Sequence, residues 1–502
     1  MNIRFRQPNW PWDPDRYRFP VEQMLLTLFP GEKPGYSDTP ADGERCVILT
    51  LSRGVKFAAV SALVTIEGQS RSGTVRFPSE KLDEQRPQVY HTVSHALKQA
   101  FYKAGTALLG HELPWGSLTG VRPVKLPTKA MLSGKTAEQA RRELEREYRV
   151  SPPRAALAVE CARAALDVQK NLQRDGLSLY IGVPFCPTRC AYCSFISADV
   201  KGSLALVEPY VDALCREVEL AGKLLRERGL HIASAYMGGG TPTTLSAEQL
   251  DRVLSCVEQS LPMERCTEFT AEAGRPDTLT ADKLEMLKAH GIHRISINPQ
   301  TMEDSVLRAI GRNHTAAQIE TAHALAREHF GGLVNMDLIA GLPTDTPEGF
   351  GRTLDRVLAM EPANITVHTL ALKKGSRLTE ESGALPSPEQ VEEMLALAAD
   401  RLRGAGYAPY YLYRQKYMSG SFENVGWTGP GAACVYNSVM MEELQTVLSL
   451  GAGGITKLVD PANGRILRRN NPKYAKEYLE SWEKIAAGKR EAADFQTAFY
   501  TL

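Results

Sequence analysis

Leu177-Ser-Leu-Tyr-Ile-Gly-Val-Pro-Phe-Cys186-Pro-Thr-Arg-Cys190-Ala-Tyr-Cys193 is the stretch that decides the fold. A strand-like run at 177–183 feeds directly into three cysteines in the order C-x3-C-x2-C. A [4Fe-4S] cluster normally takes four thiolates. A loop that offers only Cys186, Cys190 and Cys193 as metal ligands therefore leaves one iron open, much as a catalytic metal site keeps a free position. Two plainer readings exist, a zinc knuckle and three buried core thiols. Zinc sites usually pair C-x2-C units with a fourth Cys or His nearby, and none follows here.

Working outward, residues 177–370 alternate short apolar runs with longer amphipathic segments, the pattern of βα units around a parallel sheet. Candidate strands are 177–183, 232–237, 267–273, 294–298, 333–339 and 364–370. The expected class is α/β, a partial (β/α)6 barrel at 176–375, with polar or glycine-rich motifs at the C-terminal strand ends where βα proteins place their active sites. Residues 1–175 read as an α+β domain of unassigned role, with strands at 46–51 and 56–65, a helix at 90–110 and a helical pair at 136–170. Residues 376–502 read as a smaller C-terminal region that covers the substrate, with a helix at 387–404 and the aromatic run Tyr407-Ala-Pro-Tyr-Tyr-Leu-Tyr413.

The 502 residues carry 59 Lys+Arg against 58 Asp+Glu, so no global charge favours a nucleic-acid partner. Nine cysteines form no paired framework, which suits a reducing compartment. Cys215 falls on the apolar stripe Val207, Val211, Leu214, Val218 and reads as core. The first residues are polar and Pro-rich, unlike a secretory leader. No uncharged run reaches transmembrane length, so the expectation is a cytoplasmic protein without a membrane span.

Gly238-Gly-Gly-Thr-Pro242 follows the second candidate strand. Consecutive glycines let a ligand approach the backbone closely, although a glycine turn after a strand is common. With Tyr180–Cys193, Arg294-Ile-Ser-Ile-Asn-Pro-Gln300, Ala309-Ile-Gly-Arg-Asn-His314 and Asn335-Met-Asp-Leu-Ile-Ala-Gly-Leu-Pro343, the chain resembles the radical S-adenosylmethionine (SAM) oxygen-independent coproporphyrinogen III oxidase family. Thr270-Ala-Glu-Ala-Gly-Arg-Pro-Asp277, Leu118–Lys125 and Val447–Gly454 resemble its HemZ-type coproporphyrinogen dehydrogenase branch most.

The resemblance implies a [4Fe-4S] cluster whose open iron takes the amino and carboxylate groups of SAM. It also implies a 5′-deoxyadenosyl radical that abstracts a substrate hydrogen, a tetrapyrrole substrate, and a reductant protein such as flavodoxin or ferredoxin. It carries adenine contact to Tyr192, a place beside cluster and substrate to Tyr180, and the SAM amino group to Gly239, Gly240 and Thr241. Glu272 and Arg312 fall on its acidic and basic SAM contacts, Gln300 and Asp337 on its ribose contacts, and Ala371 on a further cofactor position. Seen alone, Glu272 is a surface strand end and Arg312 a solvated helix cation. Asp337 is different, because a charge inside a buried-strand pattern needs a partner.

Two positions depart from the family's well-studied oxidases: Phe195 stands where they carry a further cysteine, and Gly182 where they usually carry histidine. Glu423-Asn-Val-Gly-Trp427 keeps the Asn and Trp of the haem-binding motif of a related chaperone but lacks its His and Tyr. For propionate recognition, Arg414, Lys416, Arg465–Arg469, Arg122 and Lys125 compete with the plainer reading of surface charges, as the Tyr407–Tyr413 run does with core tyrosines. The function implied is oxidative decarboxylation of coproporphyrinogen III, with a haem-binding or haem-delivery protein, or another radical SAM reaction on a tetrapyrrole, as alternatives.

Overall fold

The computed structural model describes all residues except 7–8, 10–11, 37–44, 84–87, 194–197, 373–377, 379–383, 416–418, 461–463 and 501–502. Phe195 and Lys416 thus lie outside the described residues. The chain divides into two compact units, Met1–Val159 and Glu160–Leu502.

In the first unit a four-stranded sheet orders Asn2–Arg6, Cys46–Arg53, Phe57–Ile66 and Gln69–Pro78, the first pair parallel and the rest antiparallel. Alternation explains its one-sided core: Val47, Leu49, Leu51, Ala58, Val60, Ala62 and Val64 are all at most 1 % exposed and pack with Val21, Met24 and Leu25 of helix Arg18–Leu28 and Val93, Leu97 and Phe101 of helix Val89–Leu109.

The second unit is built on an eleven-stranded sheet. Its centre is the expected series in parallel order: Gly176–Val183, His231–Gly239, Glu268–Glu272, Arg294–Ser296, Leu333–Ala340 and Asn364–Thr369, called here the first to sixth strands. Strands buried on both faces read as continuous apolar runs, and Leu179, Ile181, Ile232, Met237, Ile295, Met336, Leu338 and Ile365 are fully buried. Helices after the second, fourth and sixth strands begin on capping boxes, Ser246 with Gln249, Thr315 with Gln318 and Ser387 with Gln390. Each such cap is worth about 1 kcal/mol and fixes where the chain turns back.

Strands from the C-terminal region extend this sheet at both sides. Val447–Leu450 adds a seventh parallel strand beside the first, pairing Val447 with Ser178 and Leu450 with Ile181. Ile455–Val459 and Ile466–Asn470 continue antiparallel from it, and Asn424–Thr428 and Ala408–Tyr413 continue antiparallel from the sixth strand. The barrel is therefore open, with Ala408–Tyr413 and Ile466–Asn470 as its edges. Among the described residues no helix is long and apolar enough to cross a membrane.

Two buried polar networks brace this sheet. Arg294, 2 % exposed, reaches Glu268 (3.2 Å), Asn335 Oδ1 (2.8 Å), Asn364 Oδ1 and the Ala432 carbonyl (2.9 Å). Glu268 in turn accepts from Cys434 Sγ (2.9 Å) and from the Val435 and Tyr436 amides at the start of helix Val435–Glu442, where the helix dipole favours an anion. On the other side, Glu217 takes Lys489 Nζ (3.0 Å), Asn471 Nδ2 (2.9 Å), the Tyr478 hydroxyl (2.5 Å) and the Gly451 amide (2.7 Å).

Candidate cofactor site

The first strand delivers its cysteines through Phe185, and the glycine motif comes to meet them. Gly240 donates its amide to the Val183 carbonyl (2.8 Å) and Thr241 to that of Phe185 (2.7 Å). A Cβ on Gly240 would stand 2.4 Å from the Phe185 oxygen, so only glycine permits this approach. Gly239 has φ +104°, open to glycine alone at low cost. The Thr241 hydroxyl lies 3.7 Å from Cys186 Sγ. Arg275, in the loop after the third strand, places Nη1 3.7 Å from Cys190 Sγ. No two cysteines form a disulfide, and among the described residues no three His, Cys, Asp or Glu are gathered as around a single ion.

The next strand ends supply the remaining residues. Tyr236 lies flat between Tyr180 and Tyr436, with ring centroids 6.4 and 4.8 Å apart, and its hydroxyl donates to Glu272 Oε1 (2.7 Å). Burial pushes the Glu272 carboxyl up to about 7; Asp337 adds to this, while the Tyr236 phenol and Gly239 amide oppose it. Glu272 is thus a partly buried group inside the barrel, and not the surface strand end it would be in isolation. Arg312, 7 % exposed, is equally unlike a solvated cation. Its Nη1 bonds the Asn298 carbonyl (2.8 Å) and its Nη2 the Tyr192 hydroxyl (2.9 Å).

Gln300 has φ +67°, strained for a non-glycine residue, and exchanges backbone bonds with the fifth strand at Asp337 and Ile339. The Asp337 side chain is 27 % exposed and lies 3.8 Å from His368 Nε2. Ala371 follows the sixth strand and is partly buried.

Sequence reasoning passed over Arg275, Tyr236, Asn298 and His314, although each lies in or beside a strand-end motif. Burial and the neighbouring Arg312 and Arg275 cations push the His314 imidazole down to about 4. The proposed propionate rim fares less well. Tyr410 and Tyr411 are core, 1 % and 3 % exposed, and Arg414 bonds the Ser421 carbonyl (2.8 Å). Arg468 and Arg469 pair with Glu443 and Glu491.

Residues 180–357 match the Radical SAM superfamily model. The oxygen-independent coproporphyrinogen-III oxidase-like protein HemZ of Bacillus subtilis (strain 168) is 36 % identical over 475 residues, 93 % of this chain and 94 % of that protein. The chain belongs to this family of radical SAM proteins. The heme chaperone HemW of Escherichia coli (strain K12) is 27 % identical over 65 % of this chain and 83 % of its own. Among solved structures, coproporphyrinogen III oxidase (HemN) from Escherichia coli shares the fold at TM-score 0.50 and 24 % identity, over 64 % of this chain and 73 % of its own.

Radical SAM proteins use a [4Fe-4S] cluster and SAM, and the residues here fit both. Three thiols on one loop supply the soft donors an iron–sulfur cluster takes. Thr270 Oγ1, Ser296 Oγ, Asn298 Oδ1, Arg312 Nε and Tyr436 Oη are buried without hydrogen-bond partners. Orphaned polar atoms of this kind, on the third and fourth strands and around Glu272 and Arg312, are what a zwitterionic ligand with amino, carboxylate, ribose and adenine groups satisfies.

Proposed function

We propose that the chain catalyses oxidative decarboxylation of coproporphyrinogen III, converting two propionate side chains to vinyl groups with loss of carbon dioxide. The observation that carries this reading is the likeness, along 93 % of the chain, to the coproporphyrinogen-III oxidase-like relative. The cofactors, when bound, would supply a radical that removes a hydrogen atom from the propionate β-carbon, and a separate electron acceptor would take the remaining electron as carbon dioxide leaves.

The chain's own residues have simpler tasks. Cys186, Cys190 and Cys193 hold the cluster, and the Gly238–Thr241 backbone receives the SAM amino group. Arg312 meets its carboxylate, a charge-assisted pairing. Gln300 and Asp337 take the ribose, Tyr192 meets the adenine, Glu272 is the acidic contact to SAM, and Ala371 is a further cofactor position. Tyr180, stacked on Tyr236, forms an apolar wall beside the reacting carbon.

Haem delivery is the second reading, favoured by the likeness to the heme chaperone. The local structure weighs against axial ligation at 423–427. Asn424 is occupied by the Thr369 amide (2.9 Å), and Trp427 is 2 % exposed. The test is anaerobic incubation of the reconstituted chain with SAM, reductant and coproporphyrinogen III. Stepwise loss of one and two carbon dioxide units, with 5′-deoxyadenosine formed in step, is expected. Stoichiometric haem binding with no lighter product, while SAM is cleaved, rejects the decarboxylase in favour of the carrier.

A further inference from the structure

Arg275 is 4 % exposed, and burying a guanidinium is costly unless anions and hydrogen-bond acceptors surround it. Its nearest carboxylate is Asp277, on the same loop, with Nε 3.3 Å from Oδ1 and Nη2 3.5 Å from Oδ2. Asp277 is itself 38 % exposed, so water screens much of its charge. The other acceptors belong to the cysteine loop: Nη2 donates to Thr188 Oγ1 (3.0 Å) and Nη1 points at Cys190 Sγ (3.7 Å). Cys190 is the buried member of the three, 9 % exposed, and the buried Arg312 guanidinium also acts on it electrostatically. The Cys190 sulfur therefore feels two buried guanidiniums, with Arg275 in direct contact at 3.7 Å. Only Arg312 has a task in the reading above.

We propose that Arg275 sets the reduction potential of the cluster that the cysteine loop holds, by presenting a fixed, desolvated positive charge and an N–H donor to the Cys190 sulfur. This rests on the cluster assignment made above. One-electron reduction adds a negative charge to a cluster already carrying three thiolates. A nearby cation in a low-dielectric setting favours the reduced form, and hydrogen bonds to the sulfurs act in the same direction. Arg275 is thus a positioning residue for the electron that SAM cleavage requires. Its two links to residues 188 and 190 also tie the third-strand loop to the cysteine loop.

The experiment is a redox titration of the reconstituted full chain followed by electron paramagnetic resonance, with iron and sulfide counted per chain. Arg275→Gln removes the charge and keeps a donor; its midpoint potential is expected to become more negative at unchanged iron content. Arg275→Lys keeps the charge and is expected to stay near the parent value. Asp277→Asn removes the competing anion and is expected to move the potential in the positive direction. Should Arg275→Gln assemble no cluster, Arg275→Lys and Arg275→Met decide between them, since equal potentials in these two overturn the proposal. A Gln variant with the parent potential, or a Lys variant that falls as far as Gln, also overturns it. Failure of the parent chain to give any [4Fe-4S] signal strikes the cofactor assignment itself, a separate outcome.

Discussion

At the residue scale, the three cysteines carry the clearest expectation. Replacing any one of Cys186, Cys190 or Cys193 by Ala should abolish the [4Fe-4S] absorbance and all SAM cleavage. Cys215→Ala should spare both, because Cys215 sits within helix Val200–Glu227, where its carbonyl accepts from Cys256 Sγ (3.4 Å) on the neighbouring helix. Full cluster content in Cys190→Ala would sink the assignment. Arg312→Ala should weaken SAM binding by about 1–3 kcal/mol, the scale of a charge-assisted hydrogen bond, with cluster content kept. Calorimetry under nitrogen reads it directly. Glu272 adds a pH dependence. Its carboxyl, pushed up to about 7 from an ordinary 4.5, holds a proton in the folded chain that the unfolded chain has already released. Stability from this group is therefore full below about pH 4.5 and is lost as pH rises towards 7. Glu272→Gln stays neutral, so the variant should gain about 1–3 kcal/mol on the parent between pH 5 and pH 8. Denaturant titrations of the cofactor-free proteins at the two pH values check this, and an equal difference at both contradicts it.

At the element scale, the six central strands were legible because fully buried parallel strands leave unbroken apolar runs, as Leu177–Val183 does. Element ends such as Pro388–Gly404 were legible from their Ser and Pro caps. The seventh parallel strand was not, since Val447-Leu-Ser-Leu450 is four residues long and far from the barrel in sequence. Its place explains Gly182. A Cβ there would stand 2.8 Å from the Ala452 carbonyl, which Tyr210 fixes by accepting from the Ala452 amide and donating to the Gly182 carbonyl. The turn after the seventh strand thus fills space that a histidine at 182 would need. Glu217 secures that turn through the Gly451 amide, and Lys489 neutralises Glu217 at 2 % and 0 % side-chain exposure. Lys489→Met strands a buried carboxylate and should cost about 3–5 kcal/mol, whereas Glu217→Gln with Lys489→Met should recover much of it. A double-mutant cycle by chemical denaturation measures the coupling, and additive losses refute the pairing.

At the scale of the whole molecule, every candidate cofactor residue from Tyr180 to Ala371 falls within Glu160–Leu502. The chemistry was legible because motifs at strand ends converge whenever the strands lie in parallel order. The role of the first unit was not, because its sheet and helices show alternation and packing without, among the described residues, a group of His, Cys, Asp or Glu side chains that could hold a metal ion. Its apolar residues, from Ile3 to Ala104, form a cluster of their own. A unit with a self-contained core does not lend folding energy through that core to its neighbour. A chain beginning at Ser151, which keeps helix Pro152–Asn171 whole, should therefore still load the cluster and cleave SAM in the presence of a strong chemical reductant. Iron content and 5′-deoxyadenosine yield close to those of the full chain are expected. Should the shortened chain fold, by circular dichroism and a cooperative melt, yet assemble no cluster, the first unit would have to be counted as part of the cofactor site.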